Sequence, residues 1–205
     1  HLWFKNKEGG LAALIYSPNT ISTKIKNQEI VIKENTSYPF GKDVNFEITT
    51  GKEIDFPMDF RIPKWCNNAS ITVNGEKVIF EKNKSIVTIN RTWKNGDLIK
   101  LSLPMEVKVS QWAENSRAIE RGPLVYGLKM KEIWQQETEK TEGNYFTVHT
   151  NSDWNYGLLR EDIENTNKNV KVSSSPLKED FKWNIENAPF ELKIRAKKIP
   201  DWQAG

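Results

Sequence analysis

The chain has 205 residues, and 37% of them are hydrophobic, which is enough for one large core or two modest ones. The chain has 30 Lys and Arg residues against 27 Asp and Glu residues, so its net charge is +3. Positive and negative side chains are thus present in nearly equal number. This pattern lacks the basic patch of a nucleic-acid binder, and no run of about 18 apolar residues predicts a membrane span. The single cysteine, Cys66, excludes an internal disulfide.

Short strands separated by turns are predicted throughout the first hundred residues. Apolar and polar side chains alternate there, which is the period of a strand with one buried face. Asn74-Gly75 and Asn95-Gly96 carry the strongest short-range hairpin signal, because Asn and Gly both tolerate positive φ. The predicted strands are 11–16, 21–25, 30–32, 44–48, 54–56, 58–62, 71–73, 78–80, 86–89 and 98–103.

The pattern loosens after residue 105. Lys, Glu and Gln dominate residues 129–143, which predicts a solvated loop or short helix, and residues 165–180 are polar enough to be mobile. Strands are predicted on both sides of Arg121-Gly122-Pro123 and at 145–149, 154–159, 170–172 and 190–199.

These elements together predict an all-β chain. Short strands at regular spacing without a helical stripe are typical of sandwiches. We therefore expect two consecutive antiparallel β-sandwich, jelly-roll-like domains, spanning residues 1–107 and 108–205, with the second one incomplete.

Few residues in the chain could carry catalytic chemistry. His1 and His149 have no metal or triad spacing, and Cys66 follows a strand end, where a buried, inert thiol is the commoner case. Glu120-Arg121 is the most suggestive charged pair, although an ion pair at a strand end explains it as well. We predict no catalytic residue, no cofactor-binding residue and no metal ligand in this chain.

The eight tryptophans have two alternative explanations. In a β-sandwich, Trp either fills the core, which is the commoner case, or provides a platform on which a sugar ring stacks. Trp65, Trp112 and Trp154 are the candidate sugar-stacking residues. An exposed coplanar pair among these three, Trp134 and Trp202 would favour sugar binding, whereas burial would favour a scaffold.

A series of short motifs makes the chain resemble the non-catalytic half of the family 127 glycoside hydrolases, the β-L-arabinofuranosidase-like proteins. The motifs cover most of the chain in the family's order, which makes the resemblance specific. They are Tyr16-Ser17-Pro18-Asn19, Phe60 to Cys66, Val73-Asn74-Gly75, Arg91 to Asp97, Leu101 to Met105, Glu120 to Tyr126, Asp153 to Leu159 and Lys198 to Trp202.

The resemblance implies that the chain comprises a middle β-sandwich and a truncated C-terminal one. In such proteins an upstream (α/α)6 barrel performs the hydrolysis, and in the arabinofuranosidase members it holds a zinc through cysteines and a glutamate, with a cysteine as nucleophile. Cys66 lies in a middle-domain motif and inherits no such role. The implied partner is therefore the chain's own barrel, and any zinc belongs to that barrel.

Two functions stay open from the sequence. The first is an accessory, structural region of a glycoside hydrolase that acts on plant-type glycans, in which case this chain alone is not an enzyme. The second is a carbohydrate-binding module that uses exposed Trp and Tyr. A homodimer, a bound glycan and export from a bacterium, to the periplasm or beyond, also stay open. We expect the truncated second domain to be the less stable one, and the chain to self-associate or to order poorly near its C-terminus.

Overall fold

The computed structural model describes residues 2–139, 143–177, 181–184 and 186–202; His1 lies outside them. Apart from two short α-helices and one 3-10 turn, the regular elements are β-strands, which confirms the predicted all-β class. The chain divides into two compact units: residues 1–106 with 121–124, and residues 107–120 with 125–205. None of the described helices has the length and apolar character needed to cross a membrane.

The first unit contains two sheets. Its strands are β1 Trp3–Lys5, β2 Leu11–Ala13, β3 Asn19–Ile25, β4 Gln28–Thr36, β5 Asp43–Thr50, β6 Ile54–Arg61, β7 Ser70–Val73, β8 Glu76–Val78, β9 Ile86–Trp93 and β10 Leu98–Ser102. The larger sheet has six antiparallel strands in the order β3-β4-β5-β10-β7-β8, and the smaller has four in the order β1-β2-β6-β9.

The four-stranded sheet departs from the sequence expectation in two ways. Its strands β2 and β6 run parallel, whereas the other neighbours in the two sheets are antiparallel. In addition, β6 continues through Pro57, where the sequence predicts two separate segments. Pro57 lies opposite Asn90 in the ladder to β9, while the ladder to β2 starts one residue later, at Leu11 opposite Met58.

The inner faces of the two sheets share one hydrophobic core. Val44, Phe46 and Ile48 alternate along β5 and are fully buried, and the β6 side chains Phe56, Met58 and Phe60 oppose them. The rings of Phe46 and Phe60 meet across the sheets with centroids 5.3 Å apart in an edge-to-face arrangement. This packing makes the first unit a β-sandwich.

Trp93 and Cys66 are also part of this core. The Trp93 side chain is fully buried, and its Nε1 donates a hydrogen bond to the carbonyl oxygen of Phe56 at 2.9 Å. Cys66 is buried and is not part of a disulfide. Both residues therefore fill space inside the sandwich.

The two Asn-Gly pairs turn out to have different roles. Asn74-Gly75 forms the predicted type I′ hairpin turn between β7 and β8, with φ of 51° and 84°. Asn95-Gly96 instead joins β9 of the four-stranded sheet to β10 of the six-stranded sheet, so its prediction as a hairpin is wrong. The Asp97 carboxylate stabilises this crossing, because its Oδ2 accepts from the Lys94 amide at 2.9 Å.

Hydrogen bonds connect these two turns to each other. The Asn74 Nδ2 donates to Asp97 Oδ1 at 2.8 Å, and Asn74 Oδ1 accepts from the Leu98 amide at 2.8 Å. The Arg91 guanidinium also lies 3.7 Å from Asp97 Oδ2. Asp97 is buried, so these partners provide the hydrogen bonds that a buried carboxylate requires.

The second unit is built from small sheets. After residue 106 the chain forms β11 Val107–Gln111, β12 Arg117–Arg121, β13 Leu124–Tyr126, β14 Ile133–Glu139, β15 Gly143–His149, β16 Tyr156–Leu158, α1 Arg160–Glu164, α2 Thr166–Asn169, β17 Lys171–Ser174, β18 Phe190–Lys193 and β19 Ala196–Lys198. The sheets are β11-β12-β13, β14-β15, β16-β19 and β17-β18.

One sequence expectation for this unit is wrong. Residues 129–143 contain the strand β14 rather than a loop or helix, because β14 pairs with β15 along seven residues. In residues 165–180, whose mobility stays a prediction, the structure has α2 and β17, and residues 178–180 lie outside the described part.

The second unit buries few side chains. Among its described residues only Val107, Asp162, Val170 and Pro189 are buried. Its exposed large hydrophobic side chains are Trp112, Val125, Leu128, Ile133, Trp134, Tyr145, Phe146, Val148, Trp154, Tyr156, Val172, Leu177, Trp183 and Trp202. Its own core is therefore small compared with that of the first unit.

The Asn74-Gly75 turn leads to a stability prediction. Gly75 has a φ of +84° and open space where a Cβ would lie, so replacement by Ala costs only backbone strain. We expect Gly75→Ala to lower the free energy of unfolding by about 1–2 kcal/mol, measured by denaturant unfolding. Gly51→Ala is the matched control, because Gly51 has equally open space without a positive φ. Equal midpoints for the two variants would contradict the turn assignment.

Candidate functional site

The three candidate sugar-stacking tryptophans occupy different environments. Trp65 is half-buried and packs against the core of the first unit. Trp112 and Trp154, both in the second unit, are 65% and 44% exposed. Of the three, Trp154 alone lines a cleft described for the structure.

Trp65 lies in a cluster of aromatic and polar side chains. The side chains of Arg61 and Trp65 both hydrogen-bond to Tyr38. The Arg61 Nε donates to the carbonyl oxygen of Leu14 at 2.5 Å, and the Arg61 carbonyl accepts from the Tyr16 hydroxyl at 2.7 Å. The motif from Phe60 to Cys66 thus ties the end of β6 to the segments around it.

Glu34 lies beside this cluster and is buried. Its Oε1 accepts from the Ser17 amide at 3.0 Å, and its Oε2 accepts from Asn19 Nδ2 at 2.7 Å. Burial raises the pKa of Glu34 to about 7, against the lowering effect of these two hydrogen bonds. Burial also raises the pKa of the neighbouring Tyr16 hydroxyl.

Trp112 lies next to a tight turn at the end of β11. Its Nε1 donates to Ser110 Oγ at 3.0 Å, and that hydroxyl in turn donates to Glu120 at 2.5 Å. Glu114 and Asn115 in this turn have φ of 54° and 60°. The Glu120 carboxylate therefore orients the side chains next to an exposed indole.

Arg121, the other half of the suggestive charged pair, contacts a different residue. Its Nη1 lies 3.7 Å from the sulfur of Met105. Met105 also packs against Gly122, where a Cβ would lie 2.7 Å from the Met105 side chain. These contacts give the Arg121-Gly122-Pro123 motif a packing role.

The cleft beside Trp154 has a volume of about 610 Å³ and lies within the second unit. Its two walls are the segment before β16 and the segment after β19, and these strands pair with Tyr156 opposite Lys198. The lining residues are Thr150, Asn151, Ser152, Asp153, Trp154, Asn155, Lys198 and Pro200. Two motifs more than forty residues apart in the sequence, Asp153 to Leu159 and Lys198 to Trp202, therefore meet here.

Backbone and side-chain bonds fix the two walls. Asn155 Nδ2 donates to the carbonyl oxygen of Ile199 at 2.8 Å, and the Ile199 amide donates to the carbonyl oxygen of Asn155 at 2.8 Å. Across the cleft, Lys198 Nζ lies 2.7 Å from Asp153 Oδ1. This carboxylate raises the pKa of Lys198 above its ordinary value.

The cleft combines an aromatic surface with hydrogen-bonding groups. Trp154 supplies the ring, Asp153 an acceptor and Lys198 a donor, while Asn151 and Thr150 add amide and hydroxyl groups. Such a set can bind a polyhydroxylated ligand. Across the described parts of the chain, no group of three or more His, Cys, Asp or Glu side chains is placed to hold a metal ion.

No local sequence pattern indicates one of the ion pairs in the second unit. Arg195 Nε donates to Asp162 Oδ2 at 3.0 Å, and Arg195 Nη2 donates to Asp162 Oδ1 at 2.5 Å. Asp162 is fully buried on α1, and hydrogen bonding to Arg195 lowers its pKa. The two residues are 33 apart in the chain, and α1 was not predicted, so no local pattern connected them.

Comparison with known proteins agrees with the motifs. Residues 10–105 match the sequence profile of the family described as "Beta-L-arabinofuranosidase, GH127 middle domain". No curated protein gives a significant match.

Three solved structures have a similar fold. A GH127 β-L-arabinofuranosidase from Geobacillus stearothermophilus T6 is 21% identical with a TM-score of 0.57, covering 96% of this chain and 31% of that one. A GH127 β-arabinofuranosidase is 20% identical with a TM-score of 0.53, covering 70% and 31%. A protein named as a glycoside hydrolase is 24% identical with a TM-score of 0.55, covering 93% and 32%. The chain thus spans about a third of the length of these structures.

The sandwich and its turn motifs define an all-β module. More particularly, residues 10–105 are similar to the middle domain of glycoside hydrolase family 127. The family resemblance expected from the motifs is confirmed.

The buried Glu34 predicts a pH dependence of stability. Because its pKa rises from an ordinary 4.5 to about 7 on folding, the folded state holds more protons between these values. We expect the stability of the first unit to fall as the pH rises from 4.5 to 7, and Glu34→Gln to remove this component. The measurement is thermal unfolding across that range, with Glu47→Gln, an exposed position on β5, as control. Parallel profiles for wild type and Glu34→Gln would refute the assignment.

Proposed function

We propose that this chain is the accessory, non-catalytic β-region of a larger β-L-arabinofuranosidase-like hydrolase acting on plant-type glycans. It packs against that enzyme's upstream (α/α)6 barrel, which holds the hydrolytic residues and any zinc. The observation that carries the proposal is the uncovered apolar face of the ribbon formed by β14 and β15, hereafter the ribbon.

The ribbon presents a group of three apolar side chains on one face. Directly opposite residues of an antiparallel pair share a face, and Trp134 lies opposite Val148 while Gln136 lies opposite Phe146. Trp134, Phe146 and Val148 are therefore on the same face, and they are 61%, 59% and 50% exposed. The rings of Trp134 and Phe146 pack edge to face with centroids 6.1 Å apart.

This face favours a docking role on physical grounds. A two-stranded ribbon is at best marginally stable in water, and contiguous exposed apolar surface marks interaction sites. Covering the Trp134, Phe146 and Val148 side chains would remove their apolar area from water at about 25 cal/mol per Å². The partner surface would thereby stabilise the ribbon that binds it.

The first unit also supports an accessory, non-catalytic role. Its family motifs are used in structural bonds: Asn74 and Asp97 connect two turns, and Arg61 ties β6 to its surroundings. The solved structures named as GH127 arabinofuranosidases are at least twice as long as this chain, which leaves room for a separate catalytic domain in an enzyme of that kind.

The enzymatic part of the proposal can be tested directly. We expect the purified chain to release no nitrophenol from an aryl β-L-arabinofuranoside, with or without added zinc, because the described residues bring together no group of three or four zinc ligands. The full natural protein containing this chain should hydrolyse the same substrate. Turnover by the isolated chain that is lost on chelation would overturn the accessory role.

The docking part has its own test. In the full natural protein, we expect Trp134→Ser combined with Phe146→Ser to lower the melting temperature and to release the β-region from the barrel under limited proteolysis. Trp183→Ala is the control, because Trp183 is equally exposed in the same unit but lies off the ribbon. In the isolated chain the double variant should reduce self-association. Wild-type behaviour in both experiments would refute this docking surface.

A further inference from the structure

We propose that the cleft beside Trp154 binds a neutral glycan. One sugar ring stacks on the Trp154 indole, and the Asp153 and Lys198 side chains bind its hydroxyl groups. This binding role goes beyond packing against a catalytic barrel.

The stacking surface is the first element of the site. The apolar C–H face of a sugar ring packs on an aromatic ring, while its edge remains available for hydrogen bonds. Trp154 is 44% exposed and lines the cleft, so it is partly open to a ligand there. The cleft volume of about 610 Å³ lies within the range usual for small-molecule sites.

The charged pair supplies the second element. Asp153 accepts hydrogen bonds and Lys198 donates them, and a pair of neighbouring sugar hydroxyls can do both at once. Their 2.7 Å contact holds both groups in position, and about half of each side chain is exposed to solvent. The pair has no net charge, so it gives no attraction to a uronic acid or to a phosphate backbone. The ligand class that fits is a neutral sugar.

The walls of the cleft are set before a ligand arrives. The paired hydrogen bonds between Asn155 and Ile199 fix the loops on which Asp153, Trp154 and Lys198 lie. Preorganisation of this kind reduces the entropy that binding costs. It also gives the Asp153 to Leu159 and Lys198 to Trp202 motifs a joint role.

The test is affinity electrophoresis and calorimetry of the isolated chain with three neutral polysaccharides, namely arabinan, xylan and galactan, and with polygalacturonate. We expect binding to at least one neutral glycan and markedly weaker binding to polygalacturonate. Trp154→Ala should raise the Kd about tenfold or more, and Trp154→Phe should retain most of the affinity. Trp183→Ala, an exposed tryptophan outside the cleft, should bind as wild type.

A second variant covers the case in which Trp154→Ala disturbs folding. Asp153→Ala changes a half-exposed side chain, so the fold should persist by circular dichroism while the affinity falls several-fold. Absence of binding to all three neutral glycans would overturn the proposal. So would wild-type affinity in both the Trp154→Ala and Asp153→Ala variants, or equally tight binding of polygalacturonate.

Discussion

The first unit depends on the packing of β5 against β6 across the sandwich. Phe46 and Phe60 meet there at 5.3 Å, and each belongs to a strand that buries every second side chain. A slip of one residue in either strand would turn its apolar set toward solvent. The turns that hold the register therefore have as much importance as the core itself, which explains why the family motifs of this unit lie at turns and strand ends.

The second unit is stabilised differently. It has few buried side chains, and the Asp162–Arg195 pair ties α1 to the segment before β19. A buried carboxylate is costly without a partner, so this pair specifies how the segments meet rather than adding a large core. Much apolar surface remains on the ribbon, in keeping with a unit that gains stability from another surface.

The proposed roles divide between residues with different surroundings. In the first unit, motif residues such as Asn74 and Arg61 use their polar groups in hydrogen bonds to their neighbours. In the second unit, Asp153, Trp154 and Lys198 lie half-exposed around a cleft. Under these proposals, this chain would bind the carbohydrate, and a catalytic domain outside this chain would hydrolyse it.

The sequence by itself determined the all-β class, the Asn74-Gly75 hairpin and the resemblance to the family, because alternation and turn chemistry are local properties. Tertiary structure alone decided that Asn95-Gly96 crosses between sheets, that the Lys- and Gln-rich segment forms β14, and that Trp154 lines a cleft while Trp65 packs on the core. Each of these depends on which distant strand lies alongside. That is a non-local choice, and the same local pattern is compatible with either outcome.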